Sequence, residues 1–79
     1  MNELVLISVS GEDKPGITAT ISKLLGSLDV DILDVGQSVI HNHLSLGILV
    51  NVPGILEDVL QALREQSERL GVLIRFTPV

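Results

Sequence analysis

The chain has 79 residues, ten acidic against five basic side chains for a net charge of −5, and 46% hydrophobic content in which Phe76 is the sole aromatic. That length makes one small domain burying roughly 60% of its unfolded surface; the acidic balance and missing aromatics exclude a phosphate-backbone footprint and a base-stacking platform, so no nucleic-acid partner is expected. The lack of cysteine excludes disulfides, thiolate chemistry and a Cys zinc site. No apolar run approaches the ~20 residues of a membrane helix. Met1-Asn2-Glu3 lacks the basic start of a signal peptide, and Ser8 and Ser10 interrupt the first apolar stretch. The expected setting is cytoplasmic, with no membrane partner.

In chain order, Glu3 to Val9 reads as a strand. Leu4 and Leu6 point one way, and Val5, Ile7 and Val9 the other, the pattern of a central strand. Gly11-Glu12-Asp13-Lys14-Pro15-Gly16 then stops the strand and turns the chain. A helix follows over Ile17 to Leu28, with Ile17, Ile21, Leu24, Leu25 and Leu28 on one stripe. A second strand spans Ile32 to Ile40, with Leu33, Val35, Gln37 and Val39 on one face and Ile32, Asp34, Gly36, Ser38 and Ile40 on the other. Gly36 inside it suggests a bulge or a close backbone approach. His41-Asn42-His43 fits a tight turn at a hairpin far from the first loop, and Leu44 to Val52 forms the third strand. After Pro53-Gly54, a second helix over Ile55 to Leu70 buries Leu56, Val59, Leu60, Leu63, Ser67 and Leu70. Its outer face offers Glu65 and Arg69 as an i, i+4 pair, and Gly71 caps its end. A last strand covers Val72 to Thr77.

The order β-α-β-β-α-β predicts a ferredoxin-like α+β plait, an antiparallel four-stranded sheet in the order 2-3-1-4 with both helices on one face. That architecture leaves the second sheet face bare although the first strand is apolar on both sides. A homodimer is therefore expected to cover that face or an edge.

Motifs for chemistry are few. His41 and His43 could share a metal, but no cysteine or nearby carboxylate completes the ligand set, and a solvated turn explains them. Asp29-Val30-Asp31-Ile32-Leu33 superficially matches a phosphoaspartyl signature, yet it lies between a helix and a strand, with Leu33 at its fifth position. Gly11 to Gly16 is no phosphate-binding glycine loop, because Lys14 precedes Pro-Gly. An acylphosphatase-like enzyme would need an arginine in this loop, and the arginines are Arg64, Arg69 and Arg75. The chain alone is read as non-catalytic, with no metal and no cofactor.

The first loop has two readings. In one it is a strand-to-helix turn, with Asp13 capping the helix and a Cβ at Gly16 crowding the loop. In the other, backbone N–H groups of Gly16, Ile17 and Thr18 receive a carboxylate at the helix start while Asp13 accepts from an ammonium. An amino acid carries both groups.

Gly11-Glu12-Asp13-Lys14-Pro15-Gly16-Ile17-Thr18 after an apolar strand resembles the ACT domain, a small-molecule regulatory module of amino-acid metabolism. With Leu4-Val5-Leu6-Ile7, the run Asp29 to Gln37 and Leu44-Ser45-Leu46-Gly47-Ile48-Leu49, the chain is similar to the N-terminal region of certain bacterial phosphoserine phosphatases. The resemblance implies a regulatory region, residues 1–79, placed ahead of a haloacid-dehalogenase-type catalytic domain that would hold Mg2+. It implies domains pairing side by side or through their helices, with an amino-acid effector bound near the first loop. Carried over by position, Asp13, Gly16, Ile17 and Thr18 are loop ligands and Gln37 a contact from the neighbouring copy, with L-serine as effector. A structural dimerisation module without ligand is the alternative.

Overall fold

A computed structural model describes residues 2–54 and 56–79. Its elements are β1 (Asn2–Glu12), α1 (Ile17–Ser27), β2 (Asp31–Ile40), β3 (His43–Pro53), α2 (Leu56–Leu70) and β4 (Leu73–Pro78). The strands form one antiparallel sheet in the order β2-β3-β1-β4. This is the expected plait. The expected start of the second helix at Ile55 lies outside the described residues.

Directly opposed residues of neighbouring strands share a face. Val5, Ile7 and Val9 of β1 therefore stand beside Val50, Ile48 and Leu46 of β3. All six are at most 2% exposed, and they meet Ile17, Ile21 and Leu25 of α1 and Val59 and Leu63 of α2. Ser67 also lies on the buried stripe of α2. Its hydroxyl donates to the Arg64 carbonyl at 2.8 Å, so a polar side chain enters the core without leaving its oxygen unpaired. On the exposed side of α2, Glu65 accepts from Gln61 Nε2 at 3.2 Å rather than pairing with Arg69.

Both helices end the same way. The Val72 N–H donates to the Ser67 carbonyl and the Gly71 N–H to that of Glu68, with Gly71 at φ 70°. In α1 the Val30 N–H reaches the Leu25 carbonyl and the Asp29 N–H that of Gly26. Here Asp29 takes the left-handed position, at φ 57°, a role glycine usually fills.

Strand β2 departs from the expected phase. The irregularity falls between Ile32 and Asp34, at Leu33, and not at Gly36, which pairs regularly with Gly47. The extra residue moves Ile32 onto the helix side, where it opposes Val50; Val35, Gln37 and Val39 follow opposite Ile48, Leu46 and Leu44. Leu33 is the unpaired residue of the bulge, so it does not share the face of Val35. Strand β1 also runs to Glu12, three residues past its expected end, because Gly11 and Glu12 continue to pair with Leu44 and His43. Gly11 suits this stretch for a steric reason, since a Cβ there would stand 3.2 Å from Val72 Cγ1. The turn proper is reduced to Asp13–Gly16.

Candidate functional site

Four residues connect β1 to α1, and they lie beside the β2–β3 hairpin. In an antiparallel pair the end of β1 must adjoin the start of β3, and the register opposes Glu12 to His43. The hairpin closes through His41 (φ 50°) and Asn42 (φ 64°), a two-residue turn with both central residues left-handed, the preferred geometry for a tight hairpin. His43 belongs to β3 rather than to the turn. The Asn42 carbonyl then accepts from the Asp13 N–H at 2.8 Å. The hairpin tip expected far from the first loop is thus tied to it.

Beyond that tie, Pro15 and Gly16 deliver the chain to the helix. Gly16 is the N-cap residue at φ 86°, ψ 0°, and no side chain caps α1. The expected Asp13 cap does not form, because Pro15-Gly16 makes Gly16 the N-cap residue and leaves Asp13 three residues short of it. A Cβ on Gly16 would meet nothing within 4 Å. Glycine is suited here by its positive φ, not by the crowding expected from the sequence.

The start of α1 contrasts with that of α2. The first turn of α2 holds Glu57 and Asp58, and Arg69 occupies its last turn. The first turn of α1 holds no acidic residue. The N–H groups that begin α1 therefore present partial positive charge with no carboxylate of their own helix against it. Lys14 lies in the same turn, and its Nζ would stand 3.5 Å from a Cβ on Gly71, at the negative end of α2, which favours a cation.

Across from the start of α1 stands Gln37. The bulge at Leu33 keeps Gln37 on the helix side of the sheet, and its Oε1 accepts from the Thr18 hydroxyl at 2.7 Å. Gln37 thus reaches the loop of its own chain. Asp13, Gly16, Ile17, Thr18 and Gln37 surround a single hollow of about 350 Å³, joined by Lys14, Pro15 and Ala19. The expected loop residues thus converge with Gln37. Sequence reading missed the contributions of Asn42 and Lys14; the antiparallel pairing of β1 with β3 was the signal that could have located Asn42.

The hollow combines an acidic side chain (Asp13), a helix start with unopposed N–H groups, and a carboxamide whose Nε2 remains as a donor. Such a set can take a group that is anionic at one end and cationic at the other. It contains no nucleophile paired with a base. Among the described residues no three histidine, cysteine, aspartate or glutamate side chains are grouped to hold a metal. Among the same residues no helix is long and apolar enough to cross a membrane.

A sequence profile of the ACT domain matches residues 3–77. The chain belongs to the ACT-domain family. ACT domains are regulatory rather than catalytic. A UPF0237 protein of Pyrobaculum aerophilum is 37% identical over 75 residues, covering 91% of this chain and 83% of the relative. Phosphoserine phosphatase SerB2 of Mycobacterium tuberculosis is 45% identical over 49 residues, which are 62% of this chain and 12% of that enzyme. Among solved structures, an ACT domain protein from Streptococcus pneumoniae superposes with a TM-score of 0.84 at 23% identity, over 96% of this chain and 89% of its own. That likeness shows the fold.

Proposed function

We propose that this ACT domain binds a free amino acid in the hollow between the β1–α1 turn and Gln37, and that binding regulates an enzyme of serine biosynthesis. The observation carrying this reading is the convergence of Asp13, the uncapped start of α1 and the Thr18–Gln37 pair on one 350 Å³ hollow. In the bound state the carboxylate of the amino acid faces the N–H groups of Ile17 and Thr18 and the Nε2 of Gln37, while Asp13 accepts from its ammonium. Small size and a hydroxyl suit L-serine, and the local similarity to phosphoserine phosphatases supports it. Within this reading residues 1–79 form one regulatory region, the phosphatase domain of the same parent chain is the regulated partner, and Mg2+ belongs to that catalytic domain. The domain itself uses no cofactor and works in the cytoplasm as a homodimer.

A second reading is a dimerisation module of the same fold without a ligand. The exposed apolar side chains of the sheet, among them Leu4, Leu33, Val35 and Leu73, favour it. Titration calorimetry with L-serine, glycine, L-valine and L-phenylalanine separates the two. Saturable heat with serine, weaker with the larger side chains, is expected. Absence of heat with all four at millimolar concentration leaves the dimerisation module.

A further inference from the structure

Two contacts seat the first turn on the junction between α2 and β4. A Cβ on Gly11 would stand 3.2 Å from Val72 Cγ1 and 3.4 Å from Val72 Cα, so the end of β1 lies close against the backbone that leaves α2. Further along the turn, the Nζ of Lys14 stands 3.5 Å from where a Cβ on Gly71 would be. The place of that ammonium has a cause in α2. Among the closing carbonyls of the helix, those of Ser67 and Glu68 accept from the N–H groups of Val72 and Gly71. The carbonyls of Arg69 and Leu70 are left to form the negative end of the helix, and Lys14 stands beside it. Lys14 also lines the hollow at the start of α1. One exposed lysine thus borders an uncapped helix start and a helix end.

We infer that Lys14 couples occupancy of the hollow to the α2–β4 junction. In the empty domain its ammonium attends the end of α2, and in the occupied domain it turns to the carboxylate of the bound amino acid. A helix end offers about half an elementary negative charge, spread over several carbonyls. A carboxylate carries a full charge and accepts a charge-assisted hydrogen bond. The lysine stem is flexible, and its departure does not strip α2 of cations, because Arg69 occupies the last turn. Asp13 keeps its place meanwhile, since its N–H is tied to the Asn42 carbonyl, and its carboxylate stays with the ligand ammonium. The ligand therefore draws the cation off the junction while the turn remains seated. Gly71 and Val72 lead directly into β4, the edge strand beside β1, so occupancy is felt at the sheet edge. By linkage, whatever strengthens the grip of Lys14 on α2 weakens ligand binding by the same factor. This coupling rests on the amino-acid site proposed above and adds Lys14 to it as a ligand contact.

Correlation spectra (15N–1H) of the parent, Lys14→Met and Lys14→Arg, with and without saturating L-serine, test it. Lys14 is exposed, so the fold is kept, and circular dichroism checks this. Without serine, the amides of Gly71 and Val72 are expected to differ between the parent and Lys14→Met. Serine should move these two amides of the parent toward their positions in ligand-free Lys14→Met. In Lys14→Met itself, serine should still shift the turn, with affinity about fivefold weaker, and leave Gly71 and Val72 in place. Lys14→Arg, which keeps a cation, should restore their movement. Ligand-free spectra that agree at Gly71 and Val72 overturn the Lys14 contact. Serine shifts in the turn of the parent with those two amides unmoved overturn the coupling and leave the amino-acid site. Equal movement of the two amides in Lys14→Met overturns the coupling as well. Absence of serine shifts anywhere in the parent overturns the site and the coupling together.

Discussion

Gly16 carries the loop by its backbone angle. At φ 86° with open space where a Cβ would stand, Gly16→Ala introduces strain of about 1 kcal/mol without a clash. Gly16→Asn, which tolerates the left-handed region, costs less. Urea unfolding of the two variants checks the order, and a larger loss for Asn than for Ala would contradict it. Thr18 and Gln37 behave differently. Their hydrogen bond is solvent-exposed, so Thr18→Val and Gln37→Ala should each change stability by no more than about 0.5 kcal/mol. Both should weaken serine binding at least tenfold, about 1.4 kcal/mol, as read by calorimetry. Asp13, Gly16, Ile17 and Thr18 were legible because Pro-Gly after a strand marks a helix start. That Gln37 approaches from the same chain was not, since its reach depends on how α1 lies across β2, which no local pattern encodes.

At the level of elements, the helix stripes and the Gly71 end of α2 were readable from spacing, the Asp13 cap expected for α1 was not realised, and the strand phases were readable only in part. In β1 and β3 every second residue from Val5 to Val9 and from Leu44 to Val52 is apolar, and no bulge interrupts their pairing, so their faces followed directly. In β2 the sequence Ile32-Leu33-Asp34-Val35 gives no glycine to mark the bulge, and the glycine that is present, Gly36, pairs regularly with Gly47 and has open space where a Cβ would stand. A bulge is legible only when one residue type requires it; Leu33 is one of several that could be left unpaired. The helix ends offer a direct check. Gly71 sits at φ 70° at the close of α2, so Gly71→Ala should lower stability by about 1 kcal/mol. For a domain of this size that corresponds to about 4–8 °C in Tm, measurable by thermal denaturation. An unchanged Tm would mean that the α2 terminus rearranges freely.

For the whole molecule, topology brings together pieces that are distant in sequence. Because β1 and β3 are antiparallel and adjacent, the β1–α1 turn and the β2–β3 hairpin share one end of the sheet, and the Asn42 carbonyl holds Asp13. Strand order was deducible from the element sequence and handedness alone, and this proximity was implicit in it. The core is small. At about 0.05–0.15 kcal/mol per residue, 79 residues yield roughly 4–12 kcal/mol of stability. Truncating Leu63, which is 0% exposed, to alanine should remove about 2–5 kcal/mol and leave a domain near its unfolding threshold in denaturant melts. A loss below 1 kcal/mol would show that α2 is not seated on the sheet as described. The central claim is the amino-acid site at the first loop. Its most direct test is a 15N–1H correlation spectrum recorded while L-serine is added. Saturable shifts concentrated at the amides of Gly16, Ile17 and Thr18 and at the side-chain amide of Gln37 are expected. Saturable shifts confined to other parts of the sheet, or no shifts at all, would contradict it.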